Sequence, residues 1–166
     1  MFFPLLTVVS GSSLPLAIVE SCSMHHENTL FSDFDSWWQD NKGKYSEYDI
    51  KKSEFEDFKM KNGFTKGDIL FITGTTPGQL EKGDVIVFHA GRNKPIIHRI
   101  VEIEENNGDI VFSTIGDNNA GQLRSEERIT PDEIVGKASF RIAPYIGWIK
   151  LIFYEPMRPA SQKGFC

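Results

Sequence analysis

At 166 residues, with 40% hydrophobic and 25% charged side chains, the chain has the length of one domain with a sizeable core. Its formal net charge of −5 comes with no polybasic run, which sets aside a surface built to neutralise nucleic-acid phosphates, so no nucleic-acid partner is expected. The two cysteines, Cys22 and Cys166, stand far apart in sequence, which is no disulfide framework and leaves the redox compartment open.

The opening MFFPLLTVVSGSSLPLAIV carries no charge before Glu20. Pro4, Gly11, Ser12, Ser13 and Pro15 interrupt it, and the unbroken apolar length falls below the roughly twenty residues a bilayer needs. A basic region of the kind that begins a cleaved signal peptide is missing. Residues 1–15 are therefore expected to be the tail of a membrane anchor, followed by an extended segment from Leu16 to Val19; a buried first strand is the alternative. Next comes VESCSMHH, Val19 to His26, with three candidate nucleophiles and two imidazoles in eight residues.

Between about residues 28 and 64 aromatics recur at helical spacing. Phe31, Phe34 and Trp37 or Trp38 share a face, and Tyr45 with Tyr48 and Phe55 with Phe58 form i, i+3 pairs. This predicts two short amphipathic helices around Gly43, with their aromatic face packed on the rest of the domain or dipping into a membrane surface. From Gly67 onward the period is that of strands. GDILFIT, GDVIVFH, PIIHRIVEIEE and DIVFSTI are short, rich in Ile, Val and Phe, and punctuated by Gly, Asn and Pro. NNGD, Asn106 to Asp109, reads as a hairpin turn, and EIVGKASFRI and IGWIKLIFY supply two further strands. The expected fold is mainly β, one domain over residues 16–166 with a helical insertion at about 28–64.

A serine hydroxyl is a poor nucleophile without a base. For Ser23 the neighbours His25 and His26 are too close in sequence to be the obvious base, and His89, at a strand end, suits a solvated role. His98 lies within PIIHRIV on the face shared with Ile96 and Ile100, where an unmet imidazole costs roughly 1 to 3 kcal/mol. Asp117 follows the strand that the Asn-Gly turn pairs with that of His98, so both fall near the open end of one hairpin. A carboxylate there could fix the imidazole tautomer and steady the imidazolium. The plainer alternatives are a core histidine bonded to a backbone carbonyl and an Asx turn at Asp117. A zinc site from Cys22, His25 and His26 with His89 or His98 has no recognised ligand spacing, and Cys22 as a nucleophile paired with His98 is weaker than a small apolar residue between two serines. Neither a metal nor any other cofactor is expected.

SCSM at residues 21–24, KGDVIVF at 82–88, PIIHRIV at 95–101, GDNN at 116–119 and VGKASFRIAPYIGWIKL at 135–151, taken together and in this order, resemble type I signal peptidases over most of the chain from Leu16 to Phe153. The form resembled is the archaeal and endoplasmic-reticulum kind, with histidine where bacterial enzymes carry a lysine. The resemblance implies a β-barrel-type catalytic core shared with LexA-like self-cleaving repressors. It also implies a membrane-bound serine endopeptidase that works through an acyl-enzyme on signal peptides of exported preproteins, at the cell membrane and on its extracytoplasmic side, with lipid as a partner. Ser23 would be nucleophile, His98 general base and Asp117 the acidic partner. The Ser21 hydroxyl and the Ser23 backbone N–H would form the oxyanion hole. Met24 is expected to line a shallow pocket or to pack beneath the site. Two departures stand out. Relatives carry a second aspartate about six residues past the GDNN aspartate, where this chain has Gln122, with Glu126 and Glu127 the nearest acids, and the segment before GDILFI is longer than in compact members. Rival readings are a self-cleaving repressor, which would need a lysine base and a DNA-binding segment, and an inactive β domain that binds exported chains.

Overall fold

The computed structural model describes residues 2–27, 34–91, 94–106, 108–159 and 163–166; Phe31 of the aromatic series and Asn107 of the hairpin turn lie outside them. An apolar helix α1, Phe2–Ser10, ends at Gly11, whose φ of 64° continues no helix. Its last residue is tied to the sheet by the Gly74 N–H, which donates to the Ser10 carbonyl at 2.8 Å. Among the described residues no helix is long and apolar enough to cross a membrane.

Six strands form one curled antiparallel sheet: β1 Leu16–Ile18, β2 Ile69–Thr73, β3 Val85–Phe88, β4 Ile96–Asn106, β5 Asp109–Ile115 and β6 Ile134–Ala143. Their spatial order is β1-β2-β6-β3-β4-β5. The extended segment expected after Pro15 is thus a sheet edge, paired through Leu16↔Phe71 and Ile18↔Ile69. Strand β3, VIVF, is buried at every position, as befits an interior strand covered on both faces. A bulge at Val101, between the pairs Ile100↔Thr114 and Glu102↔Ser113, bends β4 just beyond His98.

The helical insertion comprises α2, Phe34–Ser46, and α3, Lys52–Asp57. Gly43 does not divide them. It lies inside α2, because one glycine costs a helix only about 1 kcal/mol. The real break is the turn at Asp49, where φ is 57°. Trp37, Trp38, Tyr45, Ile50 and Phe55 are buried against Val101 of β4 and Ile115 of β5, so the aromatic face packs on the sheet.

Two expectations are corrected. IGWIKLIFY is not a strand but the short helix α4, Trp148–Leu151, followed by a 3-10 turn at Glu155–Met157. Tyr145, at a φ of 58°, turns the chain inward, and Gly147 packs so tightly that a Cβ there would stand 2.7 Å from the Gly67 carbonyl oxygen. The Trp148 indole N–H then reaches the Lys66 carbonyl at 2.9 Å, and this tertiary fit outweighs the β propensity of the run. The cysteines are also paired: Cys22 and Cys166 form a disulfide, with Cα atoms 5.4 Å apart. The fold closes the gap that sequence separation suggested. The tail returns across the domain, with Phe165 packed on Trp148 at 4.3 Å between ring centroids and Lys66 Nζ donating to the Gly164 carbonyl at 2.9 Å.

Candidate active site

Beyond β1 the chain keeps its contact with the sheet for one more residue, through Val19 N–H to the Asp68 carbonyl and Gly67 N–H to the Val19 carbonyl, both 2.9 Å. It then turns at residues 22–25. Met24 is buried in the main core, and Ser21 and Ser23 stay toward the surface with their hydroxyl oxygens 3.1 Å apart. The GDNN loop after β5 fixes this turn. Asn118 donates its N–H to the Ser23 carbonyl at 2.7 Å and its side-chain amide to the Cys22 carbonyl at 3.0 Å. Gly116 admits the close approach, since a Cβ there would lie 2.8 Å from the Ser23 carbonyl oxygen.

Strand register links this loop to His98. Arg99 pairs with Ile115, so the loop that holds Ser23 starts one residue past the partner of the residue after His98. The His98 ring is buried, and its Nδ1 is paired with Glu126 Oε1. Glu126 is wholly buried. Its other oxygen accepts the Leu123 N–H at 2.9 Å, and the Thr114 hydroxyl lies 3.4 Å from Oε1. The carboxylate at His98 is therefore Glu126, not Asp117. A 3-10 turn at Arg124–Glu126 brings the chain back against the end of β5, while Asp117 is drawn elsewhere.

Asp117 sits at the centre of a second buried cluster. Oδ1 accepts the Tyr45 hydroxyl and Arg99 Nε, each at 2.9 Å; Oδ2 accepts Arg99 Nη2 at 2.7 Å and His26 Nε2 at 2.9 Å. The remaining Arg99 donors go to the carbonyls of Lys59, Met60 and Gly83 at 2.9 to 3.0 Å, which satisfies the whole guanidinium, and its cation lies 4.8 Å from the Phe55 ring centroid. Burial pushes the Asp117 carboxyl up, but Arg99 and the His26 hydrogen bond outweigh it and hold the group well below the usual carboxylate range. Burial lowers His26, only partly offset by Asp117, so its ring is neutral and donates through Nε2. That ring stacks on Trp37 at 3.6 Å between centroids. Lys44 Nζ donates to the carbonyls of Asp117 and Asn119.

Lys44 was not singled out in the sequence, His26 was weighed there only as a base for Ser23 or a zinc ligand, and Tyr45 only as part of an aromatic face. Arg99 left a signal of its own, as a charge inside the apolar run PIIHRIV. Of the residues of the zinc reading, Cys22 is taken up in a disulfide and His26 bonds Asp117. His89 is exposed just past β3, in keeping with a solvated role.

No protein-family model matches the chain. Curated relatives do. The chain is 35% identical over 103 residues to the signal peptidase complex catalytic subunit SEC11C of Homo sapiens, covering 58% of this chain and 53% of the relative. It is 36% identical over 95 residues to the putative signal peptidase complex catalytic subunit SEC11B of the same species, covering 53% and 57%. It is 28% identical over 103 residues to the signal peptidase complex catalytic subunit SEC11 of Colletotrichum graminicola, covering 58% and 59%. The chain spans about half the length of the curated relatives it matches.

Proposed function

We propose, on its similarity to signal peptidase complex catalytic subunits, that the chain is a type I signal peptidase of the endoplasmic-reticulum and archaeal kind, a membrane-associated serine endopeptidase that removes signal peptides from exported preproteins. The observation that carries this reading is the buried His98–Glu126 pair at the sheet corner whose loop grips the Ser23 backbone. Glu126 engages Nδ1 and leaves Nε2 as the nitrogen that can accept a proton.

In this mechanism Ser23 Oγ attacks the scissile carbonyl as His98 Nε2 takes the hydroxyl proton, and Glu126 holds the tautomer and stabilises the imidazolium. The oxyanion meets the Ser21 hydroxyl and the Ser23 N–H. A Ser21 hydroxyl already 3.1 Å from Ser23 Oγ needs little movement to follow the developing charge. Collapse breaks the C–N bond, the leaving amine takes the proton from His98, and the signal peptide remains as an ester on Ser23. Water, deprotonated by the same imidazole, releases it. Asp117 keeps the structural part in this scheme and Glu126 the acidic part.

The outermost strand β1 leads directly into the serines, so an extended substrate adding along it would deliver its scissile bond to Ser23 with its backbone satisfied. Exposed Ile149, Ile152, Phe153 and Met157 near the chain end, with Leu5, Val8 and Val9 of α1, suit a catalytic domain held at the bilayer, on the extracytoplasmic side where signal peptides emerge.

The test is cleavage of a preprotein by the purified chain in lipid. Ser23→Ala and His98→Ala should each remove at least about four orders of magnitude of turnover while circular dichroism stays that of the parent. A folded parent that cuts no better than Ser23→Ala would overturn the reading in favour of a binding domain. The rate should fall on the acid side of its pH profile, since an imidazole that already carries a proton on Nε2 cannot take the serine's.

A further inference from the structure

The helical insertion supplies none of the reacting groups, yet its polar side chains converge on the segment between Asp117 and Glu126. Lys44 and Tyr45 hold the start of that segment. Its far end is reached by Tyr48, whose hydroxyl donates to Gln122 Oε1 at 3.1 Å. The Gln122 amide nitrogen in turn donates to two carbonyls, Thr114 at the end of β5 at 3.0 Å and Glu126 at 3.1 Å. The two carbonyls can only accept and so fix the end of the carboxamide that carries the nitrogen, while the phenol holds the oxygen at the other end. Thr114 and Glu126 are also the residues whose side chains meet at the carboxylate that faces His98.

We propose that Tyr48 is a positioning residue for the reaction: through Gln122 it holds the Arg124–Glu126 turn against β5 and so keeps Glu126 on Nδ1 of His98. The proposal rests on the reading of His98 and Glu126 as base and acid given above. The tyrosine is well placed for it. Its carbonyl accepts Lys82 Nζ at 3.0 Å and its N–H donates to the Tyr45 carbonyl at 3.1 Å, so the backbone that carries the phenol is pinned on both sides. Burial, and then the nearby Glu47, Glu102, Glu126 and Glu127, push the phenol up, which keeps it a donor throughout the working range. The insertion is on this view neither a lid nor a mere surface decoration. It makes up in this chain for a loop that carries its acid at position 126 and an amide at position 122.

The experiment compares Tyr48→Phe, Gln122→Met and the double variant in the full chain with lipid, with kcat and KM measured against pH on a preprotein. Loss of one hydrogen bond in the relay should lower kcat about three- to tenfold, leave KM within about twofold and displace the acid limb of kcat. The double variant should be no slower than Gln122→Met alone, because both changes cut one path. A Tyr48→Phe enzyme with the parental kcat and pH profile, a change confined to KM, or multiplicative losses in the double variant would each overturn the proposal. A second measurement needs no turnover. The imidazole N–H resonance of His98, assigned by its displacement in Glu126→Gln, should shift in Tyr48→Phe; an unmoved resonance also overturns the proposal. A parent chain that cleaves nothing while the resonance responds would leave Tyr48 as the keeper of the pair and locate the failure in the peptidase reading.

Discussion

The molecule holds two buried carboxylates beside two buried histidines, and their surroundings differ in one respect that separates scaffold from chemistry. Asp117 accepts four hydrogen bonds, two of them from the single guanidinium of Arg99, which fills the roughly four lone-pair sites a carboxylate offers. A permanent cation compensates it, and its histidine is locked on Trp37. Glu126 has no arginine or lysine among its described ion-pair partners; His98 alone fills that place. The charge of Asp117 is already neutralised, whereas that of Glu126 is available to an imidazolium when one forms. On the proposed mechanism proton transfer needs a partner whose charge changes during the cycle, and among the described residues the second pair fits that part.

The comparison is broken or upheld most directly by removing each charge in place. Glu126→Gln keeps the shape and an acceptor for the Leu123 N–H, so the fold should survive, but the tautomer of His98 is no longer enforced. A loss of about a thousand- to ten-thousandfold in kcat is expected, read by single-turnover cleavage. Asp117→Asn should act chiefly on stability. It leaves the buried Arg99 cation uncompensated, and breaking such a pair costs about 3 to 5 kcal/mol, read as a lowered denaturant midpoint. The folded fraction should retain far more turnover than Glu126→Gln. The opposite ranking of the two in kcat would return the acidic role to Asp117.

That ranking also marks what could be read in the sequence. The strands from Gly67 to Ala143 and the aromatic face of the insertion were legible, because each rests on a local period or a short turn signal; that Ser23 and the GDNN loop belong to one site was implied only by the family resemblance. The choice between Asp117 and Glu126 was not. It turns on which carboxylate the buried Arg99 captures, and neither strand period nor hairpin geometry carries that information. His26 stayed hidden for a related reason: its partner lies ninety-one residues away, and nothing near MHH marks one histidine as buried and the other as half-buried. The helix at Trp148–Leu151 was misread as a strand because composition there favours β, while the fit of Gly147 against Gly67 is a tertiary fact.

The smallest expected effect, and the one that sharpens the comparison furthest, is the pH dependence of stability in the scaffold cluster. The His26 pKa is depressed from its ordinary value of 6.5, chiefly by burial. As pH falls below that value the unfolded chain takes up the proton first, so the stability this group contributes is complete above about pH 7.5, declines through mild acid, and is fully lost once pH passes the folded value. His25 is depressed in the same direction, again by burial first, and adds to the decline. Asp117 acts in a separate, lower window: its contribution persists above the ordinary value of 3.8 and is lost only as pH falls further. Thermal midpoints between pH 8 and 5 should therefore slope downward in the parent and less steeply in His26→Gln, which offers Asp117 an amide donor that does not titrate. A control His25→Gln should flatten the slope less, since that ring is the more exposed of the two. Equal slopes in the parent and in His26→Gln would mean that the cluster is not the neutral, saturated scaffold that distinguishes Asp117 from Glu126.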